Sequence, residues 1–207
     1  KAKESGRRIS CVNNLKQLTL SLTMYADDNR GYFPERTDGG TPAQPNPRWT
    51  GRLRDGYRNL NVLRCPTDGP DAPTSHPSAD PADSTSRTYI INGWNDYFTQ
   101  PGTPLPMNSI LGKTINENVI RFPSETIHFG EKKNKSGHFY MDLEEGNGND
   151  YEELNQTMHS SGKGSNHSFV DGSVRFIKNP DTLGSKLAGK PNLWGITDWG
   201  RVHWASQ

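Results

Sequence analysis

Although the chain carries 21 Gly and 15 Pro, neither occurs between Arg7 and Arg30. That uninterrupted run constrains the fold more than any other feature. Within it Ile9, Val12, Leu15, Leu18, Leu22 and Tyr25 recur every three or four residues, the spacing that draws one apolar stripe along an α-helix. Asn13, Lys16 and Gln17 lie off the stripe. Leu20 and Met24 sit on a flanking line and are expected to widen the buried face at its C-terminal end. The run Asp27-Asp28-Asn29-Arg30-Gly31 supplies a stop: Asn29 or Gly31 can take a left-handed cap, and Pro34 bars continuation. A helix starting near Lys1 would be roughly 45 Å long at about 1.5 Å per residue. Its first turns carry Lys1, Lys3, Arg7, Arg8 and Gly6 but no stripe, so this end is expected to project from the body while the later turns pack.

Only 30% of the 207 residues are hydrophobic, which suits one domain with a modest core under long connections. We expect residues 1–30 to be the helix and 31–207 a head in the same domain. With 24 basic and 23 acidic residues the net charge is +1, so there is no electrostatic case for nucleic acid. The basic cluster near the start reads as a solvated helix end, with membrane proximity the secondary reading. No apolar run approaches the roughly 20 residues that span a bilayer, and no signal peptide is visible. The chain opens without Met in helix-compatible sequence, and so reads as a fragment whose upstream part is missing.

Further along, 35–48 reads as loop, 53–57 as a short helix, and 66–86 as an exposed loop in which His76 is solvated. Strands are expected near 87–92, 126–131, 137–141, 166–170 and 173–178, with 137–141 the hairpin partner of 126–131 and with Ile127 and Phe129 on one face. Asp171-Gly172 between alternating apolar residues predicts a type I′ hairpin. Short helices are expected at 107–111 and 180–187. The expected class is therefore α+β: a long N-terminal helix laid on an antiparallel sheet with long loops. Trp94, Tyr97 and Phe98 would cover a core edge, and Trp194, Trp199 and Trp204 would anchor the C-terminus. The alternative is a secreted ligand- or glycan-binding module that presents Trp94, Trp194, Trp199 and Trp204 as a platform.

Three residue groups are candidate sites. Cys11 and Cys65 are the two cysteines; neither is in a CxxC pair, so zinc is not expected. They form either a disulfide tying the helix to the head, which stabilises by about 4 kcal/mol in the chain-entropy model, or two separate buried thiols. His159 and Asp171 could be a metal or acid/base pair only with a third ligand or a nucleophile, for which His138, His167 and Glu131 are available. No HExxH, GxSxG or paired-carboxylate spacing supports this, so catalysis is not expected and His159 is assigned a structural hydrogen bond to the hairpin backbone. Asp142, Glu144, Asn147, Asn149 and Asp150 place oxygen donors around Gly146 and Gly148, as a calcium loop would, although the EF-hand's closing Glu is missing. Its rival is a solvated acidic turn.

The helix SCVNNLKQLTLSLTMYADDNRGYFP resembles the second half of the long N-terminal helix of prepilin-like, type II secretion pseudopilin-type proteins, and is similar above all to a bacterial subgroup from planctomycetes and their relatives. Cys65-Pro66, the run Phe122-Pro123-Ser124-Glu125-Thr126, and His159 followed by Gly164, Asn166 and Asp171-Gly172 fit the same subgroup in the same order. The interval from His159 to Asp171 is longer than the family's usual one. The resemblance implies a basic leader cleaved and N-methylated by a prepilin peptidase, and an apolar half-helix that roots the subunit in the inner membrane. It implies a non-enzymatic part in a pilus or pseudopilus, with other copies, related pseudopilins and the assembly machinery as partners. The head would be periplasmic or extracellular. Major pseudopilins bind calcium in a C-terminal loop, which is the resemblance's support for the Asp142–Asp150 site.

Overall fold

The structure is a computed structural model that describes residues 2–68, 78–102, 104–143, 151–159, 161–203 and 205. Helix α1 runs from Ala2 to Asp28. Its buried line is Cys11, Leu15, Leu18, Leu22 and Ala26, joined by Thr19 and Ser21. This line is rotated from the expected one. Val12 and Tyr25 are half-buried, and Ile9, Leu20 and Met24 are 59%, 60% and 48% exposed. Two contacts set the rotation. Cys11 is bonded to Cys65, and Ser21 meets the backbone of Gly56, where an added Cβ would lie 2.7 Å from the Ser21 Cβ. Such a close approach needs small residues, so Leu20 cannot face it.

Helix α1 ends as its stop signal requires. The Gly31 N–H donates to the Ala26 carbonyl at 2.7 Å, and Arg30 and Gly31 take φ of 59° and 83°. The Asn29 side chain instead donates back to the Tyr25 carbonyl. The opposite end does not stand clear of the body: Glu4 meets His159 and the Arg8 guanidinium lies over the Phe176 ring.

After α1 come a two-stranded ribbon, β1 (Gly39–Thr41) and β2 (Gln44–Asn46), where only loop was expected. Two short helices follow, α2 (Trp49–Arg52) and α3 (Arg54–Tyr57). The expected exposed loop at 66–86 is not wholly exposed. Helix α4 (Pro81–Ser84) is capped by Asp80, whose carboxylate accepts from the N–H groups of Ala82 and Asp83. The Asp83 carboxylate is buried and accepts from Thr50 Oγ1 and the Arg48 N–H. His76 lies outside the described residues.

The main sheet contains β3 (Tyr89–Asn92), β4 (Ile127–Glu131), β5 (Tyr140–Met141), β6 (Gly164–Phe169) and β7 (Val174–Lys178), with α5 (Asn95–Thr99) after β3 and α6 (Asp198–His203) near the C-terminus. The strand order is β5-β3-β4-β6-β7. All pairs are antiparallel except β3 with β5, which is parallel. The expected β4–β5 hairpin is therefore not formed, because β3 and β6 take both edges of β4. One face of the sheet packs Tyr89, Ile91 and Phe129 with Leu15, Leu18 and Leu22 of α1. The other packs Ile90, Ile127, Met141 and Phe169 with Trp194. A register irregularity between Ile127 and Phe129 sends these two residues into different cores, against the simple alternation expected.

The β6–β7 connection is not type I′. Asp171 does not take positive φ, whereas Gly172 does, at 84°. The Gly172 N–H donates to the Phe169 carbonyl and the Ser173 N–H to Asp171 Oδ1, the pattern of a longer loop with glycine in the left-handed position. The expected helix at 180–187 shrinks to a 3₁₀ turn, Asp181–Leu183. Among the described residues no helix is long and apolar enough to cross a membrane.

Candidate functional site: the clasp between helix and head

Cys11 on α1 and Cys65 before Pro66 form a disulfide with their Cα atoms 4.9 Å apart, which replaces the alternative of two separate thiols. Both are fully buried. The Cys65 N–H donates to Thr88 Oγ1, which donates to Asp68 Oδ2, so the head-side half of the bridge is held from the entry to β3.

His159 lies against this bridge, its Nε2 3.8 Å from Cys65 Sγ. The same nitrogen is 2.8 Å from Glu131 Oε1 at the end of β4, and Nδ1 is 3.2 Å from Glu4 Oε1. Glu131 is oriented by its other oxygen, Oε2, which accepts the Asn166 N–H at 2.9 Å. Burial by itself would lower the His159 pKa, but the hydrogen bonds and charges of Glu131 and then Glu4 raise it overall. Both ring nitrogens thus face carboxylate oxygens, an arrangement that favours the protonated form of the ring.

This changes the role expected for His159. Its ring bonds carboxylates, and only its backbone N–H reaches the strand, donating to the Gly164 carbonyl. Asp171 stays at the hairpin turn, bonded to the Ser173 N–H, and is not brought to His159. Asn166 contributes its backbone to Glu131, and Gly172 serves the turn. Glu131 was among the ligands the sequence offered. Glu4 was missed; its signal is position, since it lies seven residues before Cys11, two turns along the same helix line.

The other candidates part company. Asp142 is buried and receives both Nη atoms of Arg36. Glu144, Asn147, Asn149 and Asp150 lie outside the described residues. Arg36 and Asp142 line an open polar cleft with Asp38, Arg48, His138 and Tyr140. Trp94 and Trp194 are buried. Trp199 is half-buried and stacks on His203, and Trp204 lies outside the described residues. Two of the four tryptophans are therefore unavailable to a surface platform. His167 is enclosed beside Trp194 and held down to about 4 by burial.

Residues 1–59 match the family model described as "Protein of unknown function (DUF1559)". No curated protein and no solved structure matches the chain. The match covers α1, α2 and α3, and supports a pilin-like reading at a coarse level.

Proposed function

We propose that this chain is a non-enzymatic, pilin-like assembly subunit of the type II secretion pseudopilin kind. The observation that carries the reading is the division of α1 into two faces. Leu15, Leu18 and Leu22 are committed to the head, whereas Ile9, Leu20 and Met24 are bare. At 3.6 residues per turn the bare residues fall on the side opposite the buried ones. Asn13 and Lys16 separate Ile9 from the Leu20–Met24 pair on that side, so the bare apolar residues form two patches, which a like helix would cover in an assembly. In this reading an apolar upstream half-helix roots each subunit in the inner membrane before assembly. Copies and related pseudopilins then pack through their helices, and the head stands in the periplasm or outside. The work is packing and extraction from the bilayer, with no bond chemistry.

A photo-crosslinking residue placed at Leu20 of the full-length protein in its own cell envelope tests this. Adducts to further copies or to a related pilin are expected at Leu20 and not at buried Leu18. An absence of adducts at both Leu20 and Met24 would overturn the reading.

A further inference from the structure

We propose that the clasp is a redox-gated metal site: with its disulfide reduced, Cys11, Cys65, His159 and Glu131 bind one zinc ion. The inference is independent of filament assembly. One ligating atom from each of the four residues lies within 4.8 Å of every other, and all four residues are buried. Two thiolates, an imidazole and a carboxylate form a donor set that suits tetrahedral zinc. Zinc–sulfur bonds of about 2.3 Å at tetrahedral angles put the two sulfurs about 3.8 Å apart. The change required is thus a parting of the sulfurs on side chains whose Cα atoms are already 4.9 Å apart.

The outer partners are also in place. Metal-bound histidines usually donate their other N–H to a carboxylate, and His159 Nδ1 already faces Glu4 Oε1 at 3.2 Å, leaving Nε2 as the ligand atom. Glu131 is anchored through Oε2 on the Asn166 N–H, which leaves Oε1 to turn from His159 to the ion. The four ligands come from α1, the stretch between α3 and α4, β4 and His159, which is bridged to the first residue of β6, so the ion would replace the disulfide as the tie between helix and head.

The steps balance. A dithiol reductant attacks the disulfide by thiol–disulfide exchange through a mixed disulfide. It leaves as its own disulfide after passing two electrons and two protons to Cys11 and Cys65. Zinc then displaces both thiol protons and the Nε2 proton of His159.

The test is a titration of cobalt(II), a spectroscopic stand-in for zinc, into the reduced 207-residue chain under anaerobic conditions. One cobalt per chain should bind with thiolate charge-transfer absorption and the intense visible bands of tetrahedral geometry. The disulfide form should show neither. His159→Ala should abolish the tetrahedral bands, and Glu4→Gln should weaken binding about 10–100-fold. If the reduced chain unfolds, zinc should restore its helical circular dichroism, and should fail to do so in His159→Ala. Reduced protein that shows no such bands and no metal-dependent refolding would overturn the proposal, and so would bands that His159→Ala leaves unchanged.

Discussion

Gly56 packs so closely against Ser21 that a Cβ at Gly56 would lie 2.7 Å from both the Cβ and the Oγ of Ser21. Together with the Cys11–Cys65 bond, this contact sets which side of α1 faces the head. Gly56→Ala should therefore destabilise the protein by about 1–3 kcal/mol through overpacking, read as a lower urea midpoint. Pairing it with Ser21→Gly should recover part of the loss after allowance for the helical cost of glycine. Strict additivity of the two changes would show that the contact does not set the packing.

The Cys11–Cys65 bridge closes a separation of 54 residues between α1 and the head. Replacing both cysteines by Ala should cost about 2–4 kcal/mol, measured by chemical denaturation with a chelator present. An unchanged midpoint would mean that the leucine line alone holds the helix in place.

His159 stands between Glu131 and Glu4, and its pKa is raised in the folded state. A group with that shift contributes stability that is full below its ordinary value of 6.5 and is lost as pH rises through its folded value. His159→Ala leaves Glu131 buried beside the Asn166 N–H without its cation, at a cost of about 3–5 kcal/mol. Adding Glu131→Gln to His159→Ala should reduce that cost. A double variant no more stable than the single one would argue against the ion pair.

His128 is wholly buried beside Phe33, Trp94 and Phe129, with neither ring nitrogen hydrogen-bonded among the described residues. Burial lowers it from 6.5 to about 3. Between these values the unfolded chain binds a proton that the folded chain refuses, so stability falls as pH drops from 6.5 toward 3. His167, lowered to about 4, acts in the same direction. Asp96 opposes them: burial raises it from 3.8 to about 6 despite the Thr197 and Ile196 donors, so its protonation favours the folded state as pH falls across that window. His128→Phe should make the acid limb of the stability curve shallower. An acid limb of unchanged slope would assign acid sensitivity elsewhere.

How much was legible in the sequence differs with the range of the interaction. The length of α1 and its end at Gly31 follow from local rules, namely an unbroken helix-compatible run, a left-handed glycine and a proline beyond it. The strands at 89–92, 127–131, 164–169 and 174–178 were likewise visible as short apolar runs beside turn residues. The face of α1 was misplaced because helical periodicity weighs each apolar residue alike. It cannot show that Ser21 must touch a glycine backbone, which leaves Leu20 and Met24 outside. The partner of β5 was misassigned because nearness in the chain favours a hairpin with β4, whose edges belong to β3 and β6.

The sequence alone determined that a long helix precedes a sheet-bearing head, and where that helix stops, because both depend on neighbours within a few residues. Only the tertiary structure decided that Glu4, Cys11, Cys65, Glu131 and His159 meet. Glu4 and His159 are 155 positions apart, and residues so distant are brought together by the packing of α1 across β4 and β6. No local pattern encodes that packing, because it arises from the burial of both elements at once.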